Sequence, residues 1–481
     1  MTRQIRRIAT AMVVMFAALA LNVSYLQVIN PSAVTQQPGN QRNLLREYSR
    51  ERGQIVVASS AIATSLTTAD VLAYLRQYSN GPQYAAVTGF YSHVYGATGI
   101  ERSANALLSG SDDQLLTDRI TQLLAGRAPR GATLVLAINP KAQAAAWKAL
   151  RGRTGAVVAI EPSTGRILAL VSSPSYDPNL LAVHNARQVQ TYYRAQLADP
   201  SDPMLNRPLA RSYPPGSTFK LITAAAALAT GDVRADTQLP GPAAYRLPGS
   251  TRYLHNWQRG ACAQTKTLTL AQALAVSCNT AFAYLGNLVG ADALRAQARA
   301  FGFDSFFQVP MTSATSRYPA RADGAQTALS AIGQFDVQAT ALQMALVGAG
   351  IANDGVVMYP HLIDRVLAPD LSVLQETQPA VRSRAMTVAS ARTLRSMMVD
   401  VVARGTGGNA RIKGVKVAGK TGTAQTKPGV KPHAWFVGIA PADNPQVAVS
   451  VVIENGGGAA EISGNKLAAP VARAVMLAVL K

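Results

Sequence analysis

Pro214-Pro215-Gly216-Ser217-Thr218-Phe219-Lys220, running on into the apolar, alanine-rich stretch 221–229 and Gly231, decides how this chain is read. Pro-Pro-Gly ahead of an apolar run is turn chemistry leading into a helix start, and Gly231 is a stop signal. A helix that begins near Ser217 places residues i and i+3 on one face, which brings the Lys220 amine within reach of the Ser217 hydroxyl. The serine then also stands at a helix N-terminus, whose free N–H groups favour negative charge. A hydroxyl beside a lysine amine is an activated nucleophile, so the reading turns toward acyl transfer. Serine, alanine and lysine are common, however, and S-x-x-K alone is equally the pattern of an ordinary buried helix with a solvated lysine.

Two more motifs give it weight: Ser277-Cys278-Asn279 and Lys420-Thr421-Gly422-Thr423. S-x-x-K, S-x-N and K-T-G, in this order with a short first gap and a long second one, form a set used in serine acyl transfer. Cys278 stands where the usual middle motif has aspartate. The surroundings agree. Lys420 follows 415–418, a short alternating segment that reads as a strand, and 433–438 and 446–454 read as the next two strands. Pro441-Ala442-Asp443-Asn444-Pro445 is turn chemistry between those two. The final apolar run, 467–480, reads as a helix packed on this antiparallel meander, and helical patterns fill much of 217–350. The fold class is therefore α+β: an antiparallel sheet plus a helical lobe, with the site in the cleft between them.

On these motifs the chain resembles the class B penicillin-binding proteins, the D,D-transpeptidases of peptidoglycan synthesis, whose transpeptidase domain has the penicillin-binding and serine β-lactamase-like fold. Further segments carry the resemblance: 155–160 with 165–172 as the domain's opening hairpin, Ser173-Pro174-Ser175-Tyr176-Asp177-Pro178-Asn179 after it, and 267–274 as the helix leading into S-x-N. Arg52-Gly53-Gln54-Ile55 and Tyr95-Gly96-Ala97-Thr98-Gly99-Ile100-Glu101 resemble the family's N-terminal module. The resemblance covers nearly the whole chain. It implies a stem peptide ending in D-Ala-D-Ala as substrate, inhibition by β-lactams, and work with a glycan polymerase and division proteins. Ser217 is then the nucleophile and Lys220 its base, with a pKa lowered by burial and by Lys420. Ser277 relays a proton. Asn279 orients Lys220 and bonds a substrate amide. Lys420, Thr421 and Thr423 take the substrate carboxylate, and Gly422 lets the substrate backbone approach the strand. The resemblance further implies an oxyanion hole built from the backbone N–H groups of Ser217 and Thr423. One departure is Phe335 in Ile332-Gly333-Gln334-Phe335-Asp336, where the family often has glycine, which leaves the cleft shape there unassigned.

The chain has 481 residues, room for two or three domains. Its 46 Lys and Arg against 25 Asp and Glu give a net charge of +21, which fits an anionic wall polymer or lipid headgroup. No nucleic-acid-binding signature accompanies that charge. Arg3, Arg6 and Arg7 precede an uncharged run over 8–29, long enough to span a bilayer, so the expectation is a short cytoplasmic tail (1–7), an uncleaved plasma-membrane anchor (8–29) and an exported remainder. A polar connector at 31–42 opens a non-catalytic, dimerisation-like membrane-proximal domain over 30–130, and 131–481 forms the transpeptidase domain. The only cysteines, Cys262 and Cys278, are expected to form a disulfide bracing the S-x-N loop; two buried thiols are the alternative. His255, His361 and His433 have no ligand spacing, so neither a metal nor another cofactor is expected. Arg404-Gly405-Thr406-Gly407-Gly408 lacks the G-K-[ST] of a phosphate loop and reads as a loop beside the K-T-G strand. A D,D-carboxypeptidase or serine β-lactamase, in which water takes the acyl group, is the alternative within enzymes. A non-catalytic β-lactam sensor or division scaffold is the alternative outside them.

Overall fold

The computed structural model describes residues 2–26, 47–116, 122, 124, 126, 129–265, 267–425, 429–458 and 461–481. The connector at 31–42 and the end of the expected anchor lie outside the described residues.

A five-stranded sheet organises the catalytic part, in the order Ala418–Ala424, His433–Ala440, Val447–Ile453, Gly155–Ile160, Ile167–Ser173. Every neighbouring pair is antiparallel. The C-terminal meander thus closes against the hairpin that opens the domain. Side chains alternate across this sheet. Val157, Ala159, Phe436, Val449 and Val451 face one core with the helices Pro140–Leu150 and Gly464–Val479. Val158, Ile160, Trp435, Val437 and Ala448 face the other, with the helix Ala341–Ala352. A sheet covered on both faces needs apolar residues at consecutive positions, which is why its strands read as unbroken apolar runs.

The helical lobe lies on that second face. Its central helix, Lys220–Ala229, is buried along almost its whole length. Around it stand Leu270–Ala275, Asn279–Val289, Ala291–Ala300, Gly324–Ser330 and Val388–Ala403. The stretch expected as one helix over 267–274 divides at Thr269. Thr267–Thr269 pairs as a strand with Gln238–Pro240, and Thr269 then caps the helix reciprocally with Gln272.

A second sheet of six strands has the order Val373–Glu376, Ile363–Leu367, Thr133–Leu136, Ile55–Val57, Ser60–Thr67, Tyr74–Tyr78. Thr133–Leu136, just past the expected break at 130/131, runs parallel to Ile55–Val57 and antiparallel to Ile363–Leu367. It therefore joins the N-terminal strands to a hairpin contributed from far along the chain. Inside this part, Glu101 is fully buried between Arg52 Nε at 2.5 Å and Arg76 Nε at 2.7 Å, and the Tyr78 hydroxyl donates to it at 3.2 Å. The two segments that resembled the family's N-terminal module meet in this ion cluster. The helix Thr2–Ser24 is exposed throughout its described side chains, and its span from Arg3 to Ser24 is long and apolar enough to cross a membrane. At 1.5 Å per residue it reaches about 33 Å.

Candidate active site

The three motifs converge. Gly216–Phe219 forms a 3-10 turn that leads directly into the helix Lys220–Ala229. Ser217 therefore sits in the tight turn ahead of the α-helix rather than on its first turn. The approach to it is held from several sides. The backbone N–H of Gly216 donates to Gly333 O at 3.0 Å, and Trp435 Nε1 donates to Pro214 O at 3.0 Å. The Tyr213 hydroxyl donates to Glu454 Oε1 at 2.8 Å, an oxygen that also accepts from Arg207 Nε at 2.8 Å. His433 lies edge-on to Tyr213 and accepts from the Asn455 N–H at 3.0 Å, so both His433 and Trp435 serve packing on this sheet.

Both lysines are fully buried. Lys220 Nζ donates to Ser277 O at 2.7 Å, Asn279 Oδ1 at 2.8 Å and Ser277 Oγ at 3.3 Å. Lys420 Nζ donates to the same Ser277 Oγ at 2.8 Å and to Thr421 O at 3.0 Å. Two amines thus meet at one hydroxyl, contributed by a residue held at φ +58°. Among the described residues the Lys220 amine forms no hydrogen bond to Ser217 Oγ; its acceptors are all on the S-x-N turn. Burial pushes the Lys220 amine well below the usual lysine range, and the neighbouring Lys420 charge pushes it further. Burial alone brings Lys420 down to about 7. An amine that is neutral near pH 7 can take a proton from a hydroxyl, which an ordinary lysine cannot do.

The K-T-G strand starts at Ala418 and carries the motif itself; of the expected strand over 415–418 only Ala418 belongs to it, while Val415 closes a turn by an isolated bridge to Ile412. Lys420, Thr421 and Thr423 lie on this edge strand opposite Val437, Phe436 and Ala434. A Cβ on Gly216 would stand 3.0 Å from Thr423 O, so the free edge of Thr423 faces the Ser217 turn. In a strand the N–H and C=O of one residue point the same way, which aims the Thr423 N–H there as well. A Cβ on Gly422 would come to 3.0 Å from Thr218 Cγ2 and from Trp435 Cβ. The glycine thus leaves room for the protein's own serine-bearing turn. Thr421 Oγ1 lies 2.8 Å from Thr406 Oγ1, which ties the 404–408 loop to this strand.

Two contributors escape sequence reading. Asn256 Oδ1 accepts from the backbone N–H of Asn279 at 3.0 Å and of Thr280 at 3.1 Å, while its Nδ2 donates to Pro242 O and Gly260 O at 2.9 Å each. A side chain from a distant loop thereby caps the helix that presents Asn279. His255 O accepts from Asn279 Nδ2 at 3.1 Å, fixing which amide atom faces Lys220. The Cys262–Cys278 disulfide is formed and joins the end of that loop to the S-x-N turn.

The family described as the penicillin binding protein transpeptidase domain matches residues 155–477, and the penicillin binding protein A dimerisation domain matches 52–134. The chain is 44% identical over 490 residues to the peptidoglycan D,D-transpeptidase PbpA of Mycolicibacterium smegmatis, covering 100% of this chain and 99% of that one. Identity to PbpA of Mycobacterium tuberculosis H37Rv is 44% over 493 residues, with the same coverage. Among solved structures, the ceftriaxone acyl-enzyme of M. tuberculosis penicillin-binding protein A superimposes with a TM-score of 0.89 at 44% identity, covering 91% of this chain and 100% of that one. The penicillin G acyl-enzyme of the same protein gives 0.86 at 43% identity, covering 90% and 100%.

Proposed function

We propose, from the premise that this chain belongs to the class B penicillin-binding protein transpeptidases, that it is a peptidoglycan D,D-transpeptidase working through a Ser217 acyl-enzyme, and that β-lactams acylate the same serine. The observation that carries the assignment of residues is the meeting of two buried amines at Ser277 Oγ beside the Ser217 turn.

Ser217 Oγ attacks the penultimate D-Ala carbonyl, and its proton passes to neutral Lys220. The developing oxyanion is met by the N–H groups of Ser217 and Thr423; one such donor typically supplies about 10²–10³ in rate. The C–N bond breaks, and Ser277 hands the proton from Lys220 to the departing D-Ala amine. An amine from a neighbouring stem peptide then attacks the ester, giving up its proton along the same path in reverse. Lys420, protonated when it faces the substrate carboxylate, and the hydroxyls of Thr421 and Thr423 hold the D-Ala terminus. Asn279 keeps Lys220 in place and bonds the substrate backbone. Gly422 keeps the serine turn close to this strand.

The same reading extends to the rest of the chain. The three N-terminal arginines keep residues 1–7 in the cytoplasm, the anchor spans the plasma membrane, and both domains lie outside it. The domain division is 30–130 and 131–481, with the strand Thr133–Leu136 as the seam. A separate glycan polymerase and division proteins are the partners, since neither matched module is described as polymerising glycan.

Intact mass after brief exposure to benzylpenicillin tests the assignment. One added penicillin, mapped to Ser217 and absent from Ser217→Ala, is the expected result. Consumption of the drug with no adduct indicates hydrolysis by water instead, and an adduct on Ser217→Ala sinks the assignment.

A further inference from the structure

One surface beside this site is used by neither the mechanism nor the family motifs. From Thr237 to Ala291 the chain carries no aspartate or glutamate, yet it carries Arg246, Arg252, Arg259 and Lys266. In a chain of mixed charges, an acid-free stretch of this length concentrates positive potential locally. Its centre is the hairpin Ala244–Arg246 with Tyr253–His255, paired antiparallel so that Arg246 stands opposite Tyr253. Arg246, Arg252 and Arg259 are exposed, and among the described residues none of them forms an ion pair with a carboxylate.

The hairpin also displays aromatic surface. Exposure alternates along 253–257: Tyr253, His255 and Trp257 face out, while Leu254 and Asn256 face in. Trp257 is 67% exposed and Tyr253 56%. Tyr and Trp join an apolar body to a polar tip, which suits two of them on one exposed face to an interface. The same five residues are fastened to the catalytic turn, through His255 O on Asn279 Nδ2 and Asn256 Oδ1 on the N–H groups of Asn279 and Thr280. The face therefore lies at the rim of the cleft, held in register with the residue that would bond the substrate backbone.

We propose that the 244–259 hairpin is a binding arm for the stem peptide upstream of its D-Ala-D-Ala end, with Arg252 and Arg259 pairing a carboxylate of that peptide and Tyr253 and Trp257 packing on its aliphatic chain. The proposal rests on the transpeptidase reading and adds a specificity: the arm selects an acidic peptide over its amide. Arginine suits this work because its guanidinium pairs a carboxylate through two parallel hydrogen bonds. The arm is anchored at Asn279 and open to solvent outward, which places its occupant in the same cleft as the scissile bond and favours the substrate over a polymer bound elsewhere.

The test uses the full chain in detergent. Two peptides ending in D-Ala-D-Ala, identical except for one carboxylate or its amide two residues upstream, are compared by kcat/KM for release of D-Ala. Wild type is expected to prefer the acid, and the preference should shrink as salt rises. Arg252→Ala with Arg259→Ala should remove it, lowering kcat/KM for the acid about tenfold, the weight of a charge-assisted bond, while the amide changes far less. Trp257→Ala should lower both peptides alike through KM. Arg187→Ala with Arg194→Ala removes two exposed charges from the helix Ala186–Ala198 and should keep the preference. Stoichiometric labelling by penicillin certifies that each variant is folded. A wild type without preference, or a loss equal for both peptides in the arginine pair, overturns the proposal. So does loss of binding to a phosphate-bearing wall glycan with the peptide preference intact, which assigns the arm to that polymer. If wild type takes up no penicillin and releases no D-Ala, it is the transpeptidase reading that fails.

Discussion

Replacing Asn256 by alanine should damage catalysis although Asn256 is outside all three motifs. Its Oδ1 is the acceptor for the backbone N–H groups of Asn279 and Thr280, and loss of such a cap costs about 1 kcal/mol. Its Nδ2 satisfies Pro242 O and Gly260 O, and those lost bonds add about 1 kcal/mol more. The predicted stability loss is therefore about 2 kcal/mol. Catalysis suffers through a second route. Lys220 is held by Ser277 O and Asn279 Oδ1 at 2.7 and 2.8 Å, so a turn that relaxes by a few tenths of an ångström misplaces the base. A barrier increase of about 1.4 kcal/mol is a tenfold slower acylation, which is the minimum expected. Stopped-flow acylation by benzylpenicillin and a thermal scan read the two effects separately. Asn256→Asp distinguishes positioning from mere stability. It keeps an acceptor for the two N–H groups but adds a negative charge behind Asn279, the residue that bonds Lys220, which favours the protonated amine and moves the acid limb of acylation to higher pH. Wild-type acylation by Asn256→Ala, or an unshifted pH profile for Asn256→Asp, would refute the argument that this loop sets the base.

Three more outcomes follow from the geometry. For a substrate with a terminal carboxylate, kcat/KM should be bell-shaped: Lys220 is neutral only above its strongly lowered pKa, and Lys420 is a cation only below about 7, so activity rises with pH and then falls near neutrality in the free enzyme; a profile still rising at pH 9 contradicts it. Glu101→Gln leaves the buried Arg52 and Arg76 without a counter-charge and should cost about 3–5 kcal/mol, seen as a lower melting temperature of the N-terminal part. Burial opposes the Glu101 charge, but the two guanidiniums prevail and hold its pKa below the usual value. Its stabilisation is thus present above the unfolded carboxylate's pKa and is lost as pH falls through the folded one, so the gap between wild type and Glu101→Gln should narrow in acid. Phe335 is held at φ +61° and is 38% exposed, so Phe335→Gly should relieve about 1 kcal/mol of left-handed strain; a fall in melting temperature would mean that the ring's packing outweighs that strain.

The meeting of the serine turn, both lysines and the S-x-N turn was legible because each motif packs its side chains into three or four adjacent residues, and order along the chain did the rest. The disulfide was legible as a pairing because only two cysteines exist. What the chain hid depends on partners far away in sequence. Asn256 looks like any loop asparagine until its oxygen is seen on the N–H groups of Asn279 and Thr280. Gly422 gives no sign in sequence that a Cβ there would meet Thr218 and Trp435. A short apolar segment such as Thr133–Leu136 reads as a strand but carries no mark of which sheet it enters. The K-T-G strand begins later than its alternating prelude because backbone pairing with 433–440, which two glycines tolerate and no side-chain pattern announces, sets its limits. The lowered amines join the two kinds of information. Lysine in an apolar run is visible in sequence, but an amine that is neutral near pH 7 requires that nothing acidic be buried with it. Lys220 and Lys420 meet that condition by giving their hydrogen bonds to neutral oxygens of Ser277, Asn279 and Thr421. A carboxylate at any of those positions would pair the charge and keep the amine protonated, so neutral acceptors there leave the lysine pair without a fixed counter-charge until the substrate brings its own.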